Sequence, residues 1–193
     1  MRWDGKMIIG IYGRLGSGKT ALMVYLIKHY YQEGYAIYTN LENIKIPVKR
    51  FEPLDFYVMR NRVGKTLVAI DELYLWADCR RSSSWQNLIL TYLILQSRKF
   101  KFDFIYTEQL KHLADLRIVE FTDMWIKVKK VDDRYSILYI VDEEGNISKV
   151  LFDRSAVYDL YDTYEIVMPL TYSAKEVKKR LKQLAEKYKN DKN

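Results

Sequence analysis

The sequence predicts an α/β protein with a mainly parallel sheet, and three observations support that fold class. Apolar segments rich in β-forming residues alternate with helical segments up to Phe121, which is typical of parallel strands joined by right-handed crossovers. A glycine-rich loop at residues 13–20 separates the first strand from the first helix. Beyond residue 123, three strand patterns follow one another across short turns, which indicates an antiparallel β-meander joined to the parallel core.

The first strand, loop and helix form the most informative part of the chain. Residues 7–12 have an apolar strand pattern, and a helical pattern runs from residue 21 to residue 32. The loop between them matches G-x-x-x-x-G-K-[ST] at every fixed position, and strand, loop and helix are the context in which this pattern binds phosphate. The predicted nucleotide-binding residues are Gly13, Arg14, Leu15, Gly16, Ser17, Gly18, Lys19 and Thr20.

The residue types of this loop suit phosphate chemistry. Glycines allow backbone N–H groups to close around phosphate oxygens without a Cβ in the way, and the helix N-terminus adds positive potential at the same place. We expect Lys19 to reach the β- and γ-phosphates of a nucleotide and the Thr20 hydroxyl to bind Mg²⁺.

The segment after the first helix contains the second predicted strand and an irregular stretch. Gly34 ends the helix, and residues 35–39 have the pattern of a strand. Residues 41–62 are predicted to be irregular because Pro47 and Pro53 interrupt them.

A second functional pattern follows at the end of an apolar strand. The run Thr66–Ile70 is followed at once by Asp71 and Glu72, which is a Walker B pattern. Asp71 is expected to hold Mg²⁺, directly or through water, and Glu72 to polarise an attacking water. A kinase of small molecules supplies its own phosphate acceptor and does not need a group that activates water. The pair therefore favours ATP hydrolysis.

The remaining elements complete the predicted domain. A polar loop at residues 78–84 precedes a helix at 85–97, and a strand at 103–107 ends at Glu108 and Gln109. The meander strands are predicted at 124–131, 135–141 and 147–152, and Ser173 with Glu176 forms a capping box for a last helix. We predict a single P-loop ATPase domain over residues 1–193, with a core at about 5–125, the meander at about 124–153 and a basic terminal helix at about 173–189.

Composition and charge exclude several other classes of protein. The 193 residues include one cysteine and two histidines, so an intramolecular disulfide is impossible and no cluster has zinc spacing. No apolar run has the length of a membrane span, and the first residues lack the features of a signal peptide, so we expect a cytoplasmic protein. Of the net charge of +7, residues 173–193 carry +5, from seven Lys and one Arg against three acidic residues.

The motifs together resemble P-loop ATPases of the FtsK/HerA superfamily. The chain looks closest to the small viral DNA-packaging ATPases and to the zonular-occludens-toxin-like proteins of filamentous phage. The resemblance extends over roughly residues 7–125 and lies in residues 13–20, 70–72, 96–99 and 105–109, in Leu116 with Arg117, and in Thr122 with Asp123. Residues 157–164 are similar to the last part of such domains.

The resemblance implies a RecA-like core that binds ATP and Mg²⁺ and roles for further residues. Gln109 is similar to the sensor that reads the γ-phosphate. Arg98 looks like an arginine that serves the nucleotide of a neighbouring subunit, with Arg117 as its rival; Arg80 and Arg81 are further alternatives. An arginine acting in trans stabilises charge in the transition state.

The resemblance also implies partners and a setting. Such ATPases form homo-oligomeric rings, often hexamers, with double-stranded DNA in the pore. A viral packaging motor would also meet a portal or capsid protein, in the cytoplasm of the host cell. The basic terminal helix and the loop at residues 80–85 are the two segments that we expect to contact DNA, without sequence preference.

Two other functions stay open from the sequence. One is a small P-loop kinase of a nucleotide or metabolite, which the length suits but in which Glu72 would have no purpose. The other is an assembly ATPase that acts on protein, and the sequence separates this poorly from a DNA translocase.

Overall fold

The structure is a computed structural model. It describes residues 7–53, 65–77, 84–111, 113–163 and 165–167, together with positions 173, 175, 178, 179, 182, 183 and 186. Its strands are β1 (Ile8–Tyr12), β2 (Ala36–Thr39), β3 (Lys49–Arg50), β4 (Thr66–Ile70), β5 (Phe102–Glu108), β6 (Met124–Lys130), β7 (Tyr135–Val141) and β8 (Ile147–Asp153). They form one sheet in the order β3-β2-β4-β5-β1-β6-β7-β8.

The sheet changes from parallel to antiparallel at β6. All pairs from β3 to β6 are parallel, whereas β6–β7 and β7–β8 are antiparallel. This arrangement confirms the predicted fold class, a mainly parallel α/β sheet with an antiparallel meander. It also shows how the two parts join, because β6 pairs directly with β1 and so extends the parallel sheet.

The helices are α1 (Lys19–Gln32), α2 (Trp85–Leu95), α3 (Ser97–Phe100) and α4 (Leu116–Glu120), and 3₁₀ turns occupy Leu73–Leu75 and Arg154–Val157. The Ser84 side chain accepts a hydrogen bond from the backbone N–H of Asn87, which fixes the start of α2. The helix predicted over residues 85–97 is interrupted at Gln96 and continues as the short α3.

Apolar packing covers the central strands on both faces. On one face, α1 places Met23, Val24 and Ile27 against sheet residues such as Ile11, and on the other, α2 packs against residues that include Phe104. Every residue of β4 and β5 is buried. Because both faces of these strands are covered, apolar residues occupy consecutive positions, 67–70 in β4 and 104–106 in β5.

One strand lies in a segment that was predicted to be irregular. β3 pairs with β2 through only two residues, Lys49 with Tyr38 and Arg50 with Thr39. An edge strand of two residues is too short to show an alternating pattern, so no periodicity in the sequence could predict it.

The topology determines where the site must lie. β5 lies between β1 and β4, in parallel register with both. The loop after β1, the acidic pair after β4 and the end of β5 therefore meet at one edge of the sheet. Open α/β sheets bind ligands at this carboxyl edge of their strands.

Some predictions fall on residues that the structure does not describe. These are residues 78–83 of the predicted polar loop, with Arg80 and Arg81, and Glu176 of the predicted capping box. At the described positions 175, 178, 179 and 182 the lysines are helical and exposed. Within the described ranges, no helix combines the length and the apolar character that crossing a membrane requires.

Candidate active site

The glycine-rich loop turns tightly between β1 and α1. The backbone N–H of Ser17 donates to the carbonyl oxygen of Arg14 at 3.1 Å, and the N–H of Leu22 donates to that of Gly18 at 3.0 Å, which begins α1. Gly18 has φ 96°, a left-handed conformation that side chains with a Cβ rarely adopt. The turn leaves the N-terminus of α1 directed at the space above the loop, where it favours an anion.

The loop is backed closely by the meander. A Cβ at Gly13 would lie 2.4 Å from the carbonyl oxygen of Val128 in β6, and one at Gly18 would lie 2.5 Å from Cδ of Arg154. The Ser136 hydroxyl on β7 donates to the carbonyl oxygen of Ser17 at 2.8 Å. The meander is therefore the support that holds the loop in shape.

Lys19 is held in the loop with few partners. It is only 6% exposed, and its Nζ donates to the carbonyl oxygen of Arg14 at 3.3 Å. Burial lowers the pKa of its ammonium group, while the carboxylates of Asp71 and Glu72 act in the opposite direction. A buried cation with one carbonyl acceptor suits the approach of a polyanionic ligand.

Two hydroxyl groups bracket the carboxylate of Asp71. The Thr20 hydroxyl donates to its Oδ2 at 3.0 Å, and the Thr107 hydroxyl at the end of β5 donates to its Oδ1 at 2.6 Å. Burial raises the pKa of Asp71, and the bonds from Thr107 and Thr20 oppose that rise. Asn40 fixes the backbone of Asp71 by exchanging two hydrogen bonds with it, each 2.8 Å long.

These donors fit ATP and Mg²⁺. A threonine hydroxyl beside a carboxylate supplies the oxygen ligands that Mg²⁺ prefers, and this ion keeps waters and substrate phosphates as its other ligands. The described residues contain no group of three His, Cys, Asp or Glu that could hold a metal ion. The Ser17 hydroxyl is buried in the loop and has no hydrogen-bond partner among the described residues.

Glu72 stands beside this group in a backbone conformation that is unusual for a glutamate. Its φ is 51°, and its N–H donates to the Thr107 hydroxyl at 2.9 Å. Non-glycine residues with left-handed backbone are uncommon and concentrate at functional sites. The bond to Thr107 ties the backbone of Glu72 to the end of β5.

A short chain of hydrogen bonds joins Glu72 to Gln109. The Tyr74 hydroxyl donates to Glu72 Oε2 at 3.1 Å and accepts from Gln109 Nε2 at 3.2 Å. Burial and the charge of Glu72 raise the pKa of Tyr74 to about 12, so its hydroxyl stays a donor at neutral pH. The residue expected to sense the γ-phosphate is thus one hydroxyl away from the residue expected to activate water.

Sequence reasoning missed several residues of this site. Asn40, Thr107 and Tyr74 contact the predicted acidic pair, and Ser136 and Arg154 support the loop from the meander. Thr107 and Tyr74 lie within two residues of Gln109 and Glu72, so proximity to the motifs could have indicated them. Ser136 lies 119 residues from the group that it contacts and left no local signal.

The predicted trans-acting arginines are at positions away from these contacts. Arg117 is on α4, where its guanidinium donates to both carboxylate oxygens of Asp115, at 2.8 and 2.5 Å. The backbone of Arg98 lies in α3, just before β5, and its side chain is outside the described part of the structure. Their roles, like those of the other site residues, stay predictions.

The chain is similar to known proteins in structure and not in sequence. No family model matches the chain, and no curated protein matches it in sequence. Among solved structures, the N-terminal domain of zonular occludens toxin from Neisseria meningitidis is similar with a TM-score of 0.64 and 18% identity, covering 82% of this chain and 100% of that one.

Two further solved structures are similar to this chain, with somewhat lower TM-scores and sequence identities. The genome packaging NTPase B204 of Sulfolobus turreted icosahedral virus 2, in complex with ATP-gammaS, has a TM-score of 0.57 and 14% identity over 76% of this chain and 97% of that chain. EssC from Geobacillus thermodenitrificans, in a structure of its ATPases 2 and 3, has a TM-score of 0.55 and 12% identity over 98% of this chain and 46% of that chain. At such identities the likeness shows the fold: the chain has the RecA-like P-loop NTPase fold, as the resemblance predicted.

Proposed function

We propose that this protein is an ATP-hydrolysing motor that translocates double-stranded DNA, and that its task is the packaging of a viral genome. One observation carries the hydrolytic part of the proposal. Glu72 stands next to the Thr20–Asp71 pair and is linked through Tyr74 to Gln109.

Each residue of the site has a role in hydrolysis under this proposal. The loop N–H groups and Lys19 bind the phosphates, while Thr20 and Asp71 hold Mg²⁺, which neutralises phosphate charge when bound. Glu72 accepts a proton from the attacking water, and the Tyr74 hydroxyl orients its carboxylate. Gln109 would sense the γ-phosphate, and its hydrogen bond to Tyr74 links it to Glu72.

The arrangement favours hydrolysis over transfer to a small molecule. A carboxylate that orients water would promote a wasteful side reaction in a kinase, which must exclude water from the phosphoryl group. Glu72 is half-buried and accepts a hydrogen bond from the Tyr74 hydroxyl, which holds its carboxylate in place to orient water. The kinase alternative is therefore less well supported.

The DNA part of the proposal draws on the similar structures. B204, which has this fold, is described as a genome packaging NTPase. A motor of this kind acts as a ring, and we propose Arg98 or Arg117 as the residue that completes the nucleotide site of the next subunit. Exposed lysines at positions 178, 179 and 182 offer charge for phosphate contacts.

An assembly ATPase that acts on protein is the second candidate. The zonular occludens toxin domain and B204 both have this fold, so the fold does not separate the two candidates. The two candidates predict the same nucleotide chemistry, so only the polymer that is moved separates them.

Displacement of a triplex-forming oligonucleotide from a duplex tests translocation directly. We expect the parent protein to release the third strand when ATP is added. Glu72→Gln should bind the duplex but leave the third strand in place. Hydrolysis by the parent that never releases the third strand, with DNA bound, would favour the assembly ATPase instead.

A further inference from the structure

One face of the meander is open and basic. Cross-strand pairing places Lys127, Tyr139 and Lys149 in one row and Lys129, Ile137 and Leu151 in the next. Side chains directly opposite each other in paired strands point to the same side, so these six residues share a surface, here named the basic face.

The basic face is not covered by the rest of the described structure. It lies on the same side of the sheet as Trp125, which packs against Tyr12 and Tyr106 next to the helices. Beyond Trp125 the side chains are accessible: the three lysines of the face are exposed and Leu151 is 62% exposed. The opposite side of β6–β8 differs, because it contributes Val128, Leu138 and Phe152 to the core.

The lysines of this face lack the carboxylates that other cations of the meander have. Lys130, on the opposite side of β6, pairs with Asp133. Arg134, in the turn between β6 and β7, pairs with Asp153. Among the described residues, no ion pair involves Lys127, Lys129 or Lys149. Lys149 instead lies 5.9 Å from the centre of the Tyr139 ring.

Spacing within the basic face suits a repeating anion. Lys127 and Lys129 are two residues apart on β6, which is about 7 Å, and Lys149 lies two strands from Lys127, which is about 10 Å. Lys111 adds a fourth cation at the border, 4.7 Å from the centre of the Trp125 ring. Unpaired like charges at these distances repel each other, and a polyanion that spans them removes the repulsion.

We propose that the basic face binds the phosphate backbone of double-stranded DNA. This inference rests on the proposed function, in which DNA is the polymer moved, and it adds a contact surface apart from the terminal helix. The Tyr139 ring is half-buried and has Lys149 above it, so the face offers charge to phosphates but no open ring for stacking unpaired bases.

The test compares two triple variants of the full chain. The face variant carries Lys127→Gln, Lys129→Gln and Lys149→Gln, and the control variant carries Lys45→Gln, Lys49→Gln and Lys101→Gln. The control lysines are exposed and lie toward the β3 side of the sheet or before β5, and Lys49 lies over the Tyr38 ring much as Lys149 lies over Tyr139. Thermal unfolding checks that both variants fold like the parent.

The measured quantity is the affinity for a short labelled duplex as salt is varied. The loss of three phosphate contacts should reduce the slope of log K against log salt by about 2 to 3 and weaken binding at least ~10-fold at 0.1 M salt. The control variant should keep the slope of the parent, and hydrolysis of ATP without DNA should be unchanged in both variants.

Other outcomes separate this inference from the proposed function. A face variant with the affinity and slope of the parent would overturn the inference and leave DNA translocation standing. A face variant that changes the mass in solution but not the affinity would also overturn it, and would identify an interface between copies. A parent that binds no duplex at any salt would overturn both.

Discussion

The nucleotide edge, formed by residues 13–20 with Asp71 and Glu72, and the basic face present charge in two different ways. At the edge, Lys19 and Asp71 are 6% and 5% exposed, and hydroxyl or carbonyl groups hold them in place. On the basic face, Lys127 and Lys129 are exposed and have no carboxylate partner among the described residues. Buried charge is costly and must be positioned by neighbours, whereas exposed charge contributes through its sign and density.

This difference predicts how each region responds to substitution. One residue changed at the edge should remove a step of the chemistry, because no neighbour can take its place. One lysine changed on the face should reduce affinity by a fraction, because phosphate contacts are nearly equivalent. Substitutions in the two regions should therefore have effects of very different size.

Lys19→Ala should abolish ATP hydrolysis, with a loss on the order of 10²–10³-fold or more. The residue supplies the buried positive charge of the loop, and the nearest lysine on α1, Lys28, lies about two and a half turns further along the helix. Steady-state phosphate release measures the effect, with Lys28→Ala as the matched control. Turnover within about twofold of the parent would refute the assignment of the loop.

Glu72→Gln should leave ATP bound and reduce hydrolysis about 10²- to 10⁴-fold, as loss of a general base does. Asp71→Asn should weaken binding that depends on Mg²⁺, because it removes the charged ligand between Thr20 and Thr107. Equilibrium binding of a fluorescent ATP analogue with and without Mg²⁺, beside single-turnover hydrolysis, separates the two effects. Normal turnover by Glu72→Gln would remove its catalytic role.

Arg98→Ala should impair hydrolysis in a way that mixing can rescue. If Arg98 acts in trans, a variant subunit keeps its own nucleotide loop but fails to complete that of its neighbour. Mixing Arg98→Ala with Lys19→Ala subunits creates interfaces that join an intact loop to an intact Arg98, so some activity should return. Verified exchange without recovery would count against Arg98, and the same mixing with Arg117→Ala would follow.

Charge reversal of Lys178, Lys179, Lys182 and Lys189 should weaken binding to duplex DNA gradually. The first three are exposed, and Lys189 is outside the described residues. Four phosphate contacts would contribute about −3 to −4 to the slope of log K against log salt. Unchanged affinity and slope would show that the terminal segment only covers the domain, and would leave the basic face as the DNA contact.

Glu108→Gln should change stability rather than chemistry. Glu108 is fully buried, and its carboxylate accepts from the N–H groups of Leu113 and Ala114 at 3.2 and 2.9 Å. Burial raises its pKa to about 7, so the folded state holds its proton more tightly than the unfolded state. Stability should therefore fall as pH rises from about 4.5 to 7 and then level off, by roughly 1–3 kcal/mol in all.

Urea unfolding at a series of pH values measures this change. Glu108→Gln should remove that part of the pH dependence, because glutamine does not titrate, while the exposed Glu120→Gln should retain it. If the stability of the parent and of Glu108→Gln depended on pH in the same way, Glu108 would not be the group that causes this fall in stability.

The sequence allowed prediction of those features that are determined locally. The loop at residues 13–20, the strand before Asp71 and the three meander strands have short patterns that their own residues impose. Ser136 could not be assigned a role, since its bond to the loop joins residues that lie 119 positions apart in the chain. The basic face also escaped prediction, because it arises only when β6, β7 and β8 align their lysines in register.

One measurement tests whether this protein is a ring-shaped motor that moves duplex DNA. It is the rate of ATP hydrolysis by the full chain, with and without saturating duplex DNA, with the mass in solution measured on the same sample. If the protein is such a motor, it should form an assembled ring that hydrolyses ATP faster with duplex DNA than without it. The product should be free inorganic phosphate. An assembled ring that binds duplex and hydrolyses ATP at the same rate with and without it would contradict the claim.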